Sequence, residues 1–230
     1  MRRSTSRDVD HQEHIQVFVR TYKYYVWFGR IILAIISFYF MPTHCILAVT
    51  CYVTSALLDA IDGHAARYFN QSTKTGAMLD QLTDRAGTAG LMMTLATFYP
   101  AYTFWLQLSM IIDITCHWLY FHTITLQGRA SHKFIDMSEN YLMHLYYTNK
   151  NVLFFMCAGN EMFYAALYVM YFYTGPIVGL YKLLAIISFP VAAVKAGISV
   201  LHGIVAAMNL AIIDVNERTT FYIGKTVWYS

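Results

Sequence analysis

Six stretches of the chain are apolar over lengths that suit a membrane. They run approximately from Tyr24 to Met41, Cys45 to Ala66, Gly76 to Tyr99, Tyr102 to Thr123, Val152 to Tyr173, and Leu183 to Ile213. A helix rises about 1.5 Å per residue and needs roughly 20 such residues to cross about 30 Å of hydrocarbon. Pro42, Pro100 and Pro176 fall in three of the short connections, where a missing N–H does least harm and a turn between antiparallel neighbours is expected. Cationic residues alternate with the connections. Arg2, Arg3, Arg7, Arg20 and Lys23 precede the first stretch, and Arg67 and Lys74 flank the second connection. Arg129, Lys133 and Lys150 follow the fourth stretch, and Arg218 and Lys225 follow the sixth. The other connections carry none, apart from Lys182 near the last. Because cytoplasmic loops carry the Lys and Arg excess, this pattern predicts an all-α polytopic membrane protein with six transmembrane helices and both termini cytoplasmic. A polar tail over 1–23, with an interfacial helix around Ile15 to Lys23, would precede a membrane domain over 24–213, and a cytoplasmic tail over 214–230 would follow it. The N-terminal stretch lacks the short apolar region and small-residue cleavage site of a signal peptide.

Composition supports the same class. Hydrophobic residues make up 57% of the 230 and charged residues 13%, against about 45–50% and about 25% in soluble domains. Fifteen Phe, 19 Tyr and 4 Trp exclude a disordered chain. A formal net charge of +3 is too small to mark a nucleic-acid surface, so no nucleic-acid partner is expected. The partner the pattern requires is the lipid bilayer. Cys45, Cys51, Cys116 and Cys157 form no Cys-x-x-Cys pair and read as small buried apolar residues.

The acids change the picture. Each ionisable group inside a spanning segment costs roughly 2.5–3.5 kcal/mol on insertion scales. Yet Asp59, Asp62, Asp80 and Asp84 crowd the end of the second stretch and the start of the third. Spacings of i,i+3 and i,i+4 put each pair on one helix face, and a short connection brings the faces together. Four converging carboxylates repel unless cations lie among them, and an all-oxygen set suits hard divalent ions such as Mg²⁺ or Mn²⁺, here two. Gly63 leaves room for a ligand against the backbone, while Arg67, Thr73 and Lys74 supply cations and a hydroxyl of the kind a diphosphate uses. The arrangement suggests a nucleotide diphosphate bonded to a lipid.

Asp59, Asp62, Gly63, Ala66, Arg67, Gly76, Asp80 and Asp84 match, at every specified position, the D-x2-D-G-x2-A-R-x8-G-x3-D-x3-D signature. The chain thereby resembles the CDP-alcohol phosphatidyltransferases. Arg30 to Met41, Leu57 to Arg85, Ser131 to Asp136, Tyr146 to Thr148 and Cys157 to Phe163 resemble the animal members that use inositol. The likeness runs from about Arg30 to about Asp214.

That resemblance implies transfer of a phosphatidyl group from CDP-diacylglycerol to myo-inositol, with release of CMP. It assigns Asp59 and Asp80 to bridge two Mg²⁺ or Mn²⁺ ions and lets Asp62 and Asp84 complete the two coordination shells. Asp84 would also take the proton of the attacking hydroxyl. Gly63, Arg67 and Thr73 would contact the CDP portion. Lys133, in the tripeptide Ser131-His132-Lys133, is the candidate for inositol. Relatives commonly carry Pro-Asn ahead of the first-span Arg, where Lys23-Tyr24 stands here, so that nucleotide contact is not carried over although Arg30 remains. The family also implies a homodimer, and its animal members imply the endoplasmic reticulum with the active site toward the cytosol.

Simpler readings stand beside these. The acids could pair with Arg67, Lys74 and Arg85 and do no more. Asp113 with His117, and Lys195 with His202, could bond between helices within the bundle as readily as they could contact substrate. Ala86 to Gly90 reads as a small-residue face for close helix approach or for a dimer interface. Two other functions fit parts of the pattern: the same transfer to glycerol 3-phosphate, serine, choline or ethanolamine, and a divalent-cation transporter. The acids gather at one membrane face, which disfavours the transporter.

Overall fold

Each apolar stretch forms a helix in the computed structural model, which describes residues 25–68, 74–127 and 149–227. The helices are α1 (Tyr25–Phe40), α2 (Cys45–Tyr68), α3 (Lys74–Phe98), α4 (Thr103–Gln127), α5 (Lys150–Phe172) and α6 (Pro176–Val227). A 3-10 turn at Pro100–Tyr102 joins α3 to α4. The described residues are therefore all-α. The expected interfacial helix around Ile15 to Lys23 lies outside them.

Local chemistry sets the ends. The Asn149 side chain caps α5 by accepting from the N–H groups of Asn151 and Val152 at 3.0 and 3.4 Å. Gly175 turns the chain into α6 with φ +97°, a left-handed conformation that glycine adopts without Cβ strain. Pro176 then opens α6, where its missing N–H is one the first turn leaves unused. It was expected in the connection, and α6 starts seven residues before the apolar stretch that predicts it. At the other end α6 passes through Asp214 and continues to Val227. Hydrogen bonding along the backbone does not stop where apolarity stops, so the expected division at 213 falls within one helix. Its 52 residues span about 78 Å at about 1.5 Å each, far more than a bilayer's hydrocarbon.

The chain divides into two compact units, one ending at Thr94 and one beginning at Leu95. In the first, side-chain contacts fix the directions of three helices. Trp27 Nε1 donates to Thr83 Oγ1 at 3.0 Å, Phe38 lies over Gly90, and Thr94 Oγ1 donates to Met41 Sδ at 3.5 Å. Residue numbers rise together on α1 and α3, which are therefore parallel. Ser37 Oγ donates to the Ala48 carbonyl and Ser55 Oγ to the Arg30 carbonyl, at 2.9 and 3.1 Å. Here numbers rise on one helix as they fall on the other, and α2 runs antiparallel to α1. The small-residue face of α3 is thus used within the unit: a Cβ at Gly90 would collide with the Phe38 ring.

The second unit has the same logic. Lys195 approaches Asp113, and Thr123 Oγ1 donates to the Ala206 carbonyl at 3.3 Å, so α4 and α6 are parallel. Phe163 meets Phe189 with ring centroids 5.5 Å apart, and Gly159 faces Val191, so α5 is antiparallel to α6. Phe98 stacks on Tyr171 at 3.8 Å, holding the last turn of α3 against α5. Outward positions are large and apolar along whole helices, among them Ile32, Ile35, Ile111, Ile186, Ile187 and Phe189. Among the described residues, two segments, Asn151–Phe172 and Val178–Thr219, are long and apolar enough to cross a membrane. Such a surface is stable in lipid and a liability in water.

Candidate functional site

The acidic residues of α2 and α3 meet at a residue of α1. Arg30 lies within the apolar α1 and is 1% exposed. Its Nη1 pairs with Asp59 Oδ1 and donates to Asp80 Oδ1 at 3.2 Å. Its Nη2 donates to Asp84 Oδ1 at 2.8 Å. Asp80 and Asp84 are one turn apart on α3, so a single guanidinium reaches both. Asp59 joins from the antiparallel α2. The position of Arg30 is held in turn by Ser55, whose hydroxyl bonds the Arg30 carbonyl. Thr88 Oγ1 bonds the carbonyl of Asp84 at 3.1 Å.

Three of the four acids picked out by spacing are therefore brought together. Asp62 lies one turn after Asp59 in α2, and Gly63 and Arg67 continue the same helix; of these three the backbone alone is described. Thr73 and Lys133 lie outside the described residues. The residue that spacing did not bring into the cluster is Arg30. Its signal was present in the sequence: a cation within an apolar stretch incurs the same insertion cost that singled out the aspartates, and needs the same compensation. The pairing partners suggested by proximity in sequence were Arg67, Lys74 and Arg85, whereas the cation at the centre is 50 and 54 positions from Asp80 and Asp84.

Can this donor set hold a metal? Among the described residues, no group of three or more His, Cys, Asp or Glu is disposed as a metal site. The carboxylates instead surround a cation of the protein's own. Their chemistry nevertheless fits a hard divalent ion: all donors are oxygens, they come from two antiparallel helices, and they point at one positive charge. Their side chains are 31, 41 and 39% exposed for Asp59, Asp80 and Asp84, so they stay reachable while Arg30 is enclosed.

A second polar cluster lies inside the other unit. Lys195 Nζ of α6, a residue 3% exposed, is 3.9 Å from Asp113 Oδ1 of α4. His117 Nδ1 is 3.5 Å from the same carboxylate oxygen and 2.7 Å from the Asp113 carbonyl. His202 stacks on Tyr120 at 5.3 Å. Of the residues expected as either substrate contacts or interhelical partners, Lys195 and His202 thus meet α4 from α6, while His117 bonds Asp113 within α4 itself.

The family model for CDP-alcohol phosphatidyltransferase matches residues 25–173. The chain is 53% identical over 209 residues to the CDP-diacylglycerol–inositol 3-phosphatidyltransferase of Drosophila melanogaster, covering 90% of this chain and 91% of that one. It is 47% identical over 196 residues to the Homo sapiens enzyme of the same name, covering 84% and 92%. With the Saccharomyces cerevisiae enzyme of that name it shares 41% over 200 residues, covering 86% and 90%. No solved structure matches the chain. The matched segment contains α1, α2 and α3 with the acids that meet at Arg30, and on that agreement of sequence and geometry the chain belongs to the CDP-alcohol phosphatidyltransferase family.

Proposed function

We propose that this chain transfers the phosphatidyl group of CDP-diacylglycerol to myo-inositol and releases CMP, the activity of a CDP-diacylglycerol–inositol 3-phosphatidyltransferase. The observation that carries this reading is the identity of 53% along 90% of the chain to an enzyme whose name states both substrates. The meeting of Asp59, Asp80 and Asp84 supplies the chemistry.

Divalent cations, which the family generally uses, would be held by Asp59, Asp62, Asp80 and Asp84, neutralising the diphosphate and stabilising the departing CMP. The protein's own groups do the rest. Gly63 admits the donor close to the α2 backbone, and Arg67 and Thr73 bind its CDP portion. Lys133 donates to the inositol hydroxyls. Asp84 accepts the proton of the attacking hydroxyl as its oxygen bonds to the phosphatidyl phosphorus. The bond from that phosphorus to the bridging oxygen breaks, and CMP leaves with the bonding electrons. A base in this role must come within about 3 Å of the hydroxyl at the moment of attack.

The setting proposed is the endoplasmic reticulum membrane, with six spans, both termini in the cytosol, the active site facing the cytosol and two copies per assembly. The alternation of parallel and antiparallel helices inside each unit supports an even number of spans. Full-length protein in detergent, given CDP-diacylglycerol and Mn²⁺ or Mg²⁺, is expected to release CMP only when inositol is added. EDTA should abolish that release and either metal restore it. CMP release supported by serine or glycerol 3-phosphate but not by inositol would overturn the acceptor.

A further inference from the structure

Arg30 has no task in the reaction as written. Yet it is enclosed to 1% exposure at the point where three carboxylates meet. Its Nη1 lies between Asp59 and Asp80, the two acids read as bridging the metals, and its Nη2 engages Asp84. Arg30 Nε has no hydrogen-bond partner among the described residues. A guanidinium offers five N–H donors in a fixed fork, and here the fork is set by the positions of the acids even at the cost of one buried donor. Oxygen lone pairs committed to those N–H groups are not available to a metal. A guanidinium and a divalent ion also repel at such distances. Both cannot use the same lone pairs at once.

We propose that Arg30 is a placeholder cation: its guanidinium holds Asp59, Asp80 and Asp84 together in the metal-free protein, and entering divalent metal exchanges with it for those oxygens. The inference rests on the metal reading above and adds a role for a residue that reading does not use. Two physical consequences follow. The acids of α2 and α3 can pack against α1 without metal, since their repulsion is offset from within. Metal affinity is lower than four carboxylates alone would give, because the ion must displace a resident cation. Four carboxylates and two divalent ions cancel formally, so Arg30 also leaves the loaded site cationic toward an arriving diphosphate.

The test uses full-length wild type, Arg30→Met and Arg30→Lys in detergent, with neither CDP-diacylglycerol nor inositol present. Mn²⁺ binding is read from the electron paramagnetic resonance of the free aqueous ion, and thermal unfolding is followed in EDTA and in Mn²⁺. Arg30→Met is expected to bind Mn²⁺ at least ~10-fold more tightly than wild type, since a repelling charge is gone. It should melt lower than wild type in EDTA and recover most of the difference in Mn²⁺. Arg30→Lys should bind with intermediate affinity, because an ammonium is a point charge that cannot bridge three carboxylates. Arg30→Met that folds only in Mn²⁺ supports the proposal. If it folds in neither, Arg30→Lys decides: tighter binding than wild type supports the exchange, and equal or weaker binding overturns it. Wild type that binds Mn²⁺ with no tightening in either variant overturns this inference alone. Wild type that binds none overturns the metal reading beneath it as well. Exchange as expected without inositol-dependent CMP release would leave Arg30's role standing and remove the acceptor.

Discussion

Arg30 Nη2 donates to Asp84 Oδ1 at 2.8 Å, tying α1 to the carboxylate read as the catalytic base. The bond uses one oxygen of Asp84 and depends on shape as much as on charge, because an amide oxygen in the same place can also accept it.

Asp84→Asn therefore keeps the tie to Arg30 while removing the base and weakening one of the proposed metal ligands. It keeps an acceptor for Arg30 but cannot take a proton. We expect inositol-dependent CMP release to fall by about 10²- to 10⁴-fold, the range ascribed to general base catalysis, with the folded protein still recovered and CMP binding within a few fold of wild type. Turnover close to wild type in a folded Asp84→Asn protein would remove the base assignment.

Helix approach in the first unit depends on the absence of a side chain at Gly90. Added there, a methyl group meets the Phe38 ring, whereas at Gly197 nothing lies within 4 Å. Gly90→Ala is expected to destabilise the protein by about 1–3 kcal/mol through overpacking. Gly197→Ala should be neutral or stabilising by up to about 1 kcal/mol, because glycine is a poor helix former. Thermal melts of the two variants in detergent give the comparison, and equal melting temperatures would contradict it.

Asp113 and Lys195 test the polar pair of the second unit. Removing one partner leaves the other buried without its opposite charge, at a cost of about 3–5 kcal/mol, whereas replacing both with apolar residues costs much less. Lys195→Met and Asp113→Leu should each lower the melting temperature more than the double variant does. If both singles instead melt like wild type and raise the KM for inositol, the pair belongs to the acceptor site.

Lys133 carries a prediction that rests on sequence. Lys133→Ala should raise the KM for inositol at least ~10-fold, about what one hydrogen bond to a charged group is worth, and leave the KM for CDP-diacylglycerol within about two-fold. Equal effects on both substrates would assign Lys133 to general stability.

Helix positions were legible in the sequence because a helix in lipid must satisfy its backbone internally and expose apolar side chains outward. Composition along the chain reports that directly: α1 ends at Phe40 and α2 spans Cys45–Tyr68, each of these ends within two residues of expectation. The limits of α6 were not legible. α6 opens at Pro176, ahead of the apolar run, and the residues after Ile213 end that run without ending the helix, since helical hydrogen bonds are indifferent to the surroundings that apolarity measures.

Asp59, Asp80 and Asp84 could be chosen from sequence because spacing along a helix fixes which residues share a face. Their convergence was expected from the short connection between α2 and α3. What spacing cannot express is which side chain of a third helix enters between them. That was decided by packing: the antiparallel fit of α1 on α2 through Ser37 and Ser55, and its parallel fit on α3 through Trp27, Phe38 and Met41, carry Arg30 to the acids. The sequence by itself determined the helices and which carboxylates share a helix face, both of which depend on residue type and local periodicity. Only the tertiary structure placed a buried guanidinium among the carboxylates, because contact across 50 and 54 positions is set by how helices pack and not by how they are spaced.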